Sequence, residues 1–460
     1  MAMVVKNNMP AVNTLNTLNK NESALSKSLQ KVSSGMKINS AGDDASGMAI
    51  SERMRVQVRA LDQDDNNTKN GSALLRTAEG AVQSTIEILK TLKEKAINAA
   101  NDTNTDEDRA VIQKEVDHLI DQIDENALTT YNGKYLIDGS HNGVVEGDRP
   151  NKNGTYSTFA NMSLATDTSP LDSLTELRRR DGNSLDIHSS DTITVSWTRN
   201  GVTYTNSFSP IGTSSLNDAM GLITNGHASF YGQESQVGVD EYGEPVYTPD
   251  NQPAISMRAR NPGVENQIGA ITFRVTDSEG RMRKEVNAVL DDFRETVRAQ
   301  NPSPDNSIVL QTGVKANQAV KVGFTDMRSA ALGLQSANGM GWDRDMTTLN
   351  AGTEVVGTGP KIQVTTREAA NAAINVFENA LIKATDQMVA IGAAQNRLGY
   401  TSSNLVTASE NVQDSESVIR DSDMAKEMTA YTKNNVLTQS AQAMLAQANQ
   451  NSSAVLSLLQ

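Results

Sequence analysis

The chain has 460 residues, no Cys and only 4% aromatics, and 41 Lys+Arg against 55 Asp+Glu give a formal net charge of −14. Without Cys there is no disulfide scaffold, no Cys-ligated metal site and no thiol nucleophile, and the acidic balance argues against a nucleic-acid binder working by long-range electrostatics. The length allows roughly two to four domains, no apolar run reaches the ~18 residues of a membrane span, and the first ten residues lack the apolar region of a cleavable signal.

All 11 prolines lie outside residues 11–149 and 361–460. Proline removes a donor and clashes with the preceding helical turn. The two proline-free arms, rich in Ala, Leu, Asn, Gln and Lys, are therefore predicted as helices. In the first, Leu15, Leu29 and Met36 share a heptad column that Glu22 interrupts, and Leu18, Leu25 and Val32 share the adjacent one. The polar stretch Ser33–Gly47 breaks the pattern. Gly35 suits a helix C-terminus of positive φ, and Asp43 or Asp44 suits the N-cap of a helix resuming near Ala45. Asp62–Asn67 faintly resembles a calcium loop but lacks the Gly and the closing Glu, so it reads as solvated. Next come Leu75, Val82, Leu89 and Ala96, flanked by Ala78, Thr85, Leu92 and Ala99. After a break at Asn101–Asp108, a third helix aligns Ile112, Val116, Leu119 and Ile123.

The middle reads as β-rich. It holds 11 of the 18 aromatics within 141–306, a segment whose 14 Lys/Arg and 22 Asp/Glu carry −8 of the −14. Arg178–Arg180 reads as a solvated basic run. Thr192–Thr198 alternates, with Ile193, Val195 and Trp197 on one face. Asn200-Gly201 and the alternating Val202–Phe208 follow, the strongest short hairpin signal. Ser215–Ile223 is predicted as a short helix, Ala270–Thr276 as a strand and Arg281–Gln300 as a helix. Ser307–Gly313 and Gln318–Phe324 form a second hairpin candidate. In the C-terminal arm one column runs Phe377, Ala384, Ile391, Leu398, Leu405, Val412 and Ile419 at a strict spacing of seven. Such a period keeps one narrow seam toward a partner helix, and two arms at opposite ends of a chain can supply each other's partner.

Enzyme motifs are missing. His118, His141, His188 and His227 are scattered, and there is neither H-E-x-x-H nor a phosphate loop. Gly357–Lys361 is Gly-rich but carries proline where a cradling N–H would be needed. No catalytic, metal or cofactor-binding residue is assigned. The residues alone give an α+β multidomain chain: long helical arms with coiled-coil heptads at both termini, a β-hairpin candidate, a β-rich insert and no active site.

Several of these segments are similar to bacterial flagellin. Ser33–Ile50 (SSGMKINSAGDDASGMAI) resembles its N-terminal signature, which Thr77–Asn101, Ile112–Glu125 and Tyr131-Asn132-Gly133 continue. Ala394–Arg397 (AQNR), Ile419–Met428 (IRDSDMAKEM), Met444–Gln450 and Val455–Gln460 resemble its C-terminal arm. Val309–Gln335 resembles the family's shaft hairpin, and Asp191–Ile223 resembles, more weakly, a motif repeated in flagellin and hook-protein inserts.

The resemblance implies a subunit exported unfolded through a type III channel that polymerises into the extracellular flagellar filament for swimming. It implies a terminal coiled-coil domain at 1–45 and 416–460, and a helical shaft at 46–140, 307–336 and 361–415. The outer insert would be 141–306 and a loop 337–360. The channel-side assembly residues would be Leu15, Leu18, Leu25, Leu29, Val32, Leu437, Leu445, Leu456 and Leu459, although some could seal only the chain's own helix pair. The shaft core would be Leu75, Val82, Leu89, Ile112, Val116, Ile391, Leu398 and Leu405. Partners would be further copies of the chain, the flagellar cap, hook-junction proteins and an export chaperone, with no nucleic acid, membrane or cofactor. A hook–filament junction protein, or a flagellin with a binding or adhesive outer domain, are the alternatives. In many flagellins the segment matching Leu89–Ala96 is read by Toll-like receptor 5. The family's Arg and Leu there correspond to Thr91 and Lys95, while Glu115 matches its acidic contact, so the resemblance implies weak receptor contact.

Overall fold

A computed structural model describes residues 8–145, 154–209, 211–212, 214–219, 228–336 and 359–458, without the side chains of 452–458. The predicted loop 337–360 lies outside the described residues except at its last two positions. The helices are α1 (Met9–Ser34), α2 (Ala45–Ala99), α3 (Asp106–Ala127), α4 (Lys284–Leu290), α5 (Arg367–Arg420) and α6 (Met424–Leu458). The chain divides into two compact units. One comprises Met1–Thr68, Gln311–Gln318 and Tyr400–Gln460, the other Lys69–Leu310 and Ala319–Gly399.

In the second unit, the apolar stripes of α2, α3 and α5 meet in one core. Leu75, Val82, Leu89, Val116, Phe377, Ala384, Ile391 and Leu398 are fully buried in it, with Ile112 partly buried at its edge. The α2–α3 turn is fastened by Arg109, whose guanidinium donates to the carbonyl oxygens of Ala99 (2.9 Å) and Asn101 (3.1 Å) and pairs with Asp106 at 3.0 Å. A cation there satisfies carbonyls that a helix end leaves open. Thr105 and Asp108 then open α3 with a reciprocal capping box.

The strands are β1 (Thr130–Tyr131), β2 (Lys134–Tyr135), β3 (Thr158–Asn161), β4 (Thr192–Arg199), β5 (Val202–Phe208), β6 (Ala228–Glu234), β7 (Gln236–Val239), β8 (Pro245–Tyr247), β9 (Ala254–Ala259), β10 (Ile268–Thr276), β11 (Phe293–Val297), β12 (Ile308–Gln311) and β13 (Ala319–Val322). Two sheets, ordered β10-β4-β5 and β11-β3-β9-β6, enclose the insert's core, and β1-β2, β7-β8 and β12-β13 are two-stranded. Asn200 and Gly201, both at positive φ, turn β4 into β5, as a two-residue hairpin of matching twist requires. Ile193, Val195 and Trp197 are buried. On the other face hydroxyl pairs bridge the strands, Thr194 with Ser207 and Ser196 with Thr205, each at 3.1 Å.

The predicted helix Arg281–Gln300 is overturned. Only Lys284–Leu290 is helical, and Phe293–Val297 pairs antiparallel with β3. The reason is tertiary. Asn287 and Asp291 turn their side chains to the outer edge of β10, accepting the backbone N–H groups of Val275 (2.7 Å) and Phe273. The chain then leaves the helix to supply Phe293 and Val297 to the core. Arg178–Arg180 is not a free solvated run either. Arg180 pairs with Asp250 at 2.5 Å and donates to the Pro253 carbonyl oxygen at 2.9 Å, and Arg179 pairs with Glu285 at 2.9 Å. Of the predicted helix Ser215–Ile223, residues 216–219 form one turn capped by Ser215, and the rest lies outside the described residues.

Candidate functional site

In the first unit, α1 and α6 pair antiparallel. Asn8 donates to the Ala448 carbonyl oxygen (3.2 Å), Asn21 to that of Leu437 (3.3 Å) and Asn434 to Ser28 Oγ (3.1 Å), so numbering rises on one helix as it falls on the other. On α1 the inward positions alternate between two columns. Ala11, Leu18, Leu25 and Val32 form one, Thr14, Asn21 and Ser28 the other. On α6 the inward positions are Tyr431, Asn434, Thr438, Ala441, Leu445 and Ala448. The steps of three and four along each helix are those of a coiled-coil seam. More than half of this seam is polar or small.

The third α1 column, Leu15–Glu22–Leu29, is left outside. Leu15 is 45% exposed, Leu29 52%, and Leu437 on α6 42%. Val12, Val436 and Met444 are exposed too. The predicted assembly residues thus separate into two sets. Leu18, Leu25, Val32 and Leu445 turn toward the chain's own helix pair, while Leu15, Leu29 and Leu437 do not. Leu456 and Leu459 lie outside the residues whose side chains are described.

The α1–α2 turn is tied to the break between α5 and α6. Gly35 closes α1 at φ 71° with its N–H on the Lys31 carbonyl oxygen. Asp44 accepts the N–H groups of Ser46 and Gly47, both at 3.0 Å, and starts α2. The Lys37 N–H reaches the Arg420 carbonyl oxygen at 2.7 Å, and the Ser422 N–H reaches that of Gly35 at 3.0 Å. The buried Arg420 guanidinium donates to Glu52 (2.6 Å) and Ser51 (3.0 Å), and this hydrogen bond holds the Glu52 carboxyl below its usual range. Sequence reading missed Arg420 as a clamp, although it sits in the motif IRDSDMAKEM. Arg420→Ala should speed amide exchange at Lys37 and Ser422 about tenfold or more by opening the turn locally. Arg420→Lys should restore protection only in part, since a point charge cannot serve Ser51 and Glu52 as a planar fork does. Hydrogen-exchange mass spectrometry reads both.

Asp62–Asn67 is helical and solvated on one side only, with Asp62, Gln63 and Asn66 exposed. Asp64 and Asp65 are buried, Ser402 donates to Asp65 at 2.5 Å, and Ser409 to Asp62 at 2.9 Å. Leu405 is buried in the same unit. Among the described residues no group of three His, Asp or Glu side chains could hold a metal ion.

In the second unit Lys95 forms an ion pair with Glu115 at 2.7 Å, and Thr91 turns its hydroxyl back to the Glu87 carbonyl oxygen at 3.1 Å.

Residues 5–142 match the family described as the bacterial flagellin N-terminal helical region, and 374–459 match its C-terminal helical region. The chain is similar to a flagellin of Clostridium tyrobutyricum, 33% identical over 449 residues, covering 97% of this chain and 99% of the relative. It is similar to a flagellin of Bacillus subtilis (strain 168), 28% identical over 462 residues, covering 99% of this chain and all of the relative. Among solved structures, FliC from Burkholderia pseudomallei is matched at 17% identity with a TM-score of 0.25, over 71% of this chain and 99% of that one.

Proposed function

The chain belongs to the bacterial flagellin family, the structural subunits of the flagellar filament, and from that premise we propose that its α1–α6 pair is the element through which copies join. The carrying observation is the outward column of α1. Leu15 and Leu29, with Leu437 on α6, stay open after the pair has formed. A half-polar seam buries little apolar surface against the ordering of two long helices, so the pair is only marginally stable in a single chain. Further stabilisation would come from neighbouring copies. Contacts of different surfaces that do not close into a ring extend into an open helical polymer.

On this reading 1–45 and 416–460 form the channel-side layer, 46–140, 307–336 and 361–415 the shaft, and 141–306 the outward insert, with the filament outside the cell. Export in the unfolded state would bring a chaperone, the hook-junction proteins and the cap into contact with the chain before its copies meet. Electron microscopy of the purified chain should show filaments, and the chain lacking 440–460 should form none. Normal filaments from the shortened chain would refute the assembly role of α6.

Receptor contact should be weak. Toll-like receptor 5, if it approached Leu89–Ala96, would meet Thr91 and Lys95 in place of a guanidinium and an apolar knob, and Glu115 already engaged by Lys95. Losses of this kind at an interface centre cost about 2–4 kcal/mol. A receptor reporter-cell assay should show low potency, rising when Thr91→Arg and Lys95→Leu are combined. Full potency of the unaltered chain would contradict this reading.

A further inference from the structure

Where the insert meets the shaft within the second unit, three buried groups converge that the assembly function does not use. Lys383 of α5 is 4% exposed, Gln267 just before β10 is 4% exposed, and the Glu295 side chain on β11 is 7% exposed. The Gln267 amide directs its NH2 to the Ala331 carbonyl oxygen at 3.2 Å and sets its oxygen against Lys383 Nζ. That oxygen is bonded to the amide carbon Cδ, so the contact sets Nζ beside the carbon it would attack. Glu295 Oε1 stands 3.5 Å from the same Nζ and has no hydrogen-bond partner among the described residues. The other nearby cation, Arg298, is engaged by Asp386. We propose that Lys383 and Gln267 become joined by an amide cross-link, with Glu295 as the proton carrier.

The chemistry balances within the chain. Neutral Nζ adds to Cδ while the protonated Glu295 gives its proton to Nε2. As the Cδ–Nε2 bond breaks, the Glu295 carboxylate takes back the proton that the amine sheds. One ammonia leaves and one Nζ–Cδ bond remains, with no oxidant or outside reagent. Burial favours the needed protonation states, pushing the Lys383 amine down and the Glu295 carboxyl up. Neutral lysine is the nucleophile that desolvated sites supply. A cavity of about 40 Å³ lined by Lys383, Asn142, Arg298, Asn301 and Thr325 opens beside the amine, room for one molecule the size of water, and so for the departing ammonia. Residues 267, 295 and 383 meet only in the folded chain, so the bond would form after folding and fasten the insert to the shaft helix.

The test is intact-mass measurement and tryptic mapping of the full folded chain after prolonged incubation. The expected result is a mass lower by one ammonia and a branched peptide joining the Gln267 and Lys383 segments. The branched peptide is decisive, because succinimide formation at Asn-Gly also releases ammonia. Glu295→Gln, which keeps the side chain's shape, should leave the two segments linear, as should Lys383→Met. Linear peptides from the unaltered folded chain overturn the proposal whatever the variants do. A branched peptide from Glu295→Gln overturns the role of Glu295.

Discussion

Replacing Leu15, Leu29 and Leu437 together by Asn should leave the isolated chain folded and stop filament growth at concentrations where the unaltered chain polymerises. All three are about half exposed within the single chain, so folding gains little from them. Covering the remaining apolar surface of each would contribute about 1 kcal/mol, half of the transfer energy of a leucine side chain. Three together give about 3 kcal/mol per subunit, which raises the critical concentration roughly a hundredfold. Sedimentation and electron microscopy across a concentration series read the shift, and circular dichroism checks the monomer. Leu18→Ala is the contrast. Leu18 faces the chain's own pair, so its loss should weaken the monomer's helix pair as well as the filament. Equal effects of the two changes on monomer stability would show that both columns serve the same contact.

The second large effect concerns Asp291. Burial pushes its carboxyl up to about 7, from an ordinary value of 3.8, while its hydrogen bond from the Phe273 N–H pulls the other way. A raised carboxyl means that the folded insert keeps a proton that the unfolded chain has lost. The stability it supports is whole below about pH 4, falls as pH rises through about 4–7, and is gone above that window. The separation corresponds to about 4 kcal/mol, and partial solvent access should reduce this to about 2 kcal/mol. Asp291→Asn keeps an acceptor for Phe273 and cannot ionise. It should therefore stabilise the insert by about 2 kcal/mol at pH 8 and match the unaltered chain near pH 4. Urea melts read by tryptophan fluorescence, with Trp197 in the insert core, measure this. A variant less stable at pH 8 would mean that the carboxylate is needed charged.

The helices were legible because their signal repeats. Phe377, Ala384, Ile391, Leu398 and Leu405 recur every seventh residue and are buried together along α5. The β4–β5 turn was legible because Asn-Gly can take positive φ at both positions, and does. What stayed hidden depends on partners distant in sequence. Phe293 and Val297 could belong to a helix or a strand, and only pairing with β3 decides. Asp65 looks like a solvent-facing residue until Ser402 is found opposite. The same holds for the proposed assembly residues. Periodicity finds both leucine columns of α1 but cannot say which one α6 takes. The sequence pattern does not show that Arg420 clamps the break, because Glu52 lies 368 positions away.

Glu22 gives the outward column of α1 a further consequence. A helix that comes to lie on Leu15 and Leu29 must also meet a carboxylate midway between them. An uninterrupted leucine stripe would accept a neighbour displaced by seven residues almost as well as the correct one. A single charge within the stripe admits one axial setting, in which a cation or water faces it, and penalises the others. On the proposed assembly, the residue that most weakens the stripe as glue would make it a ruler, fixing the step from one copy to the next.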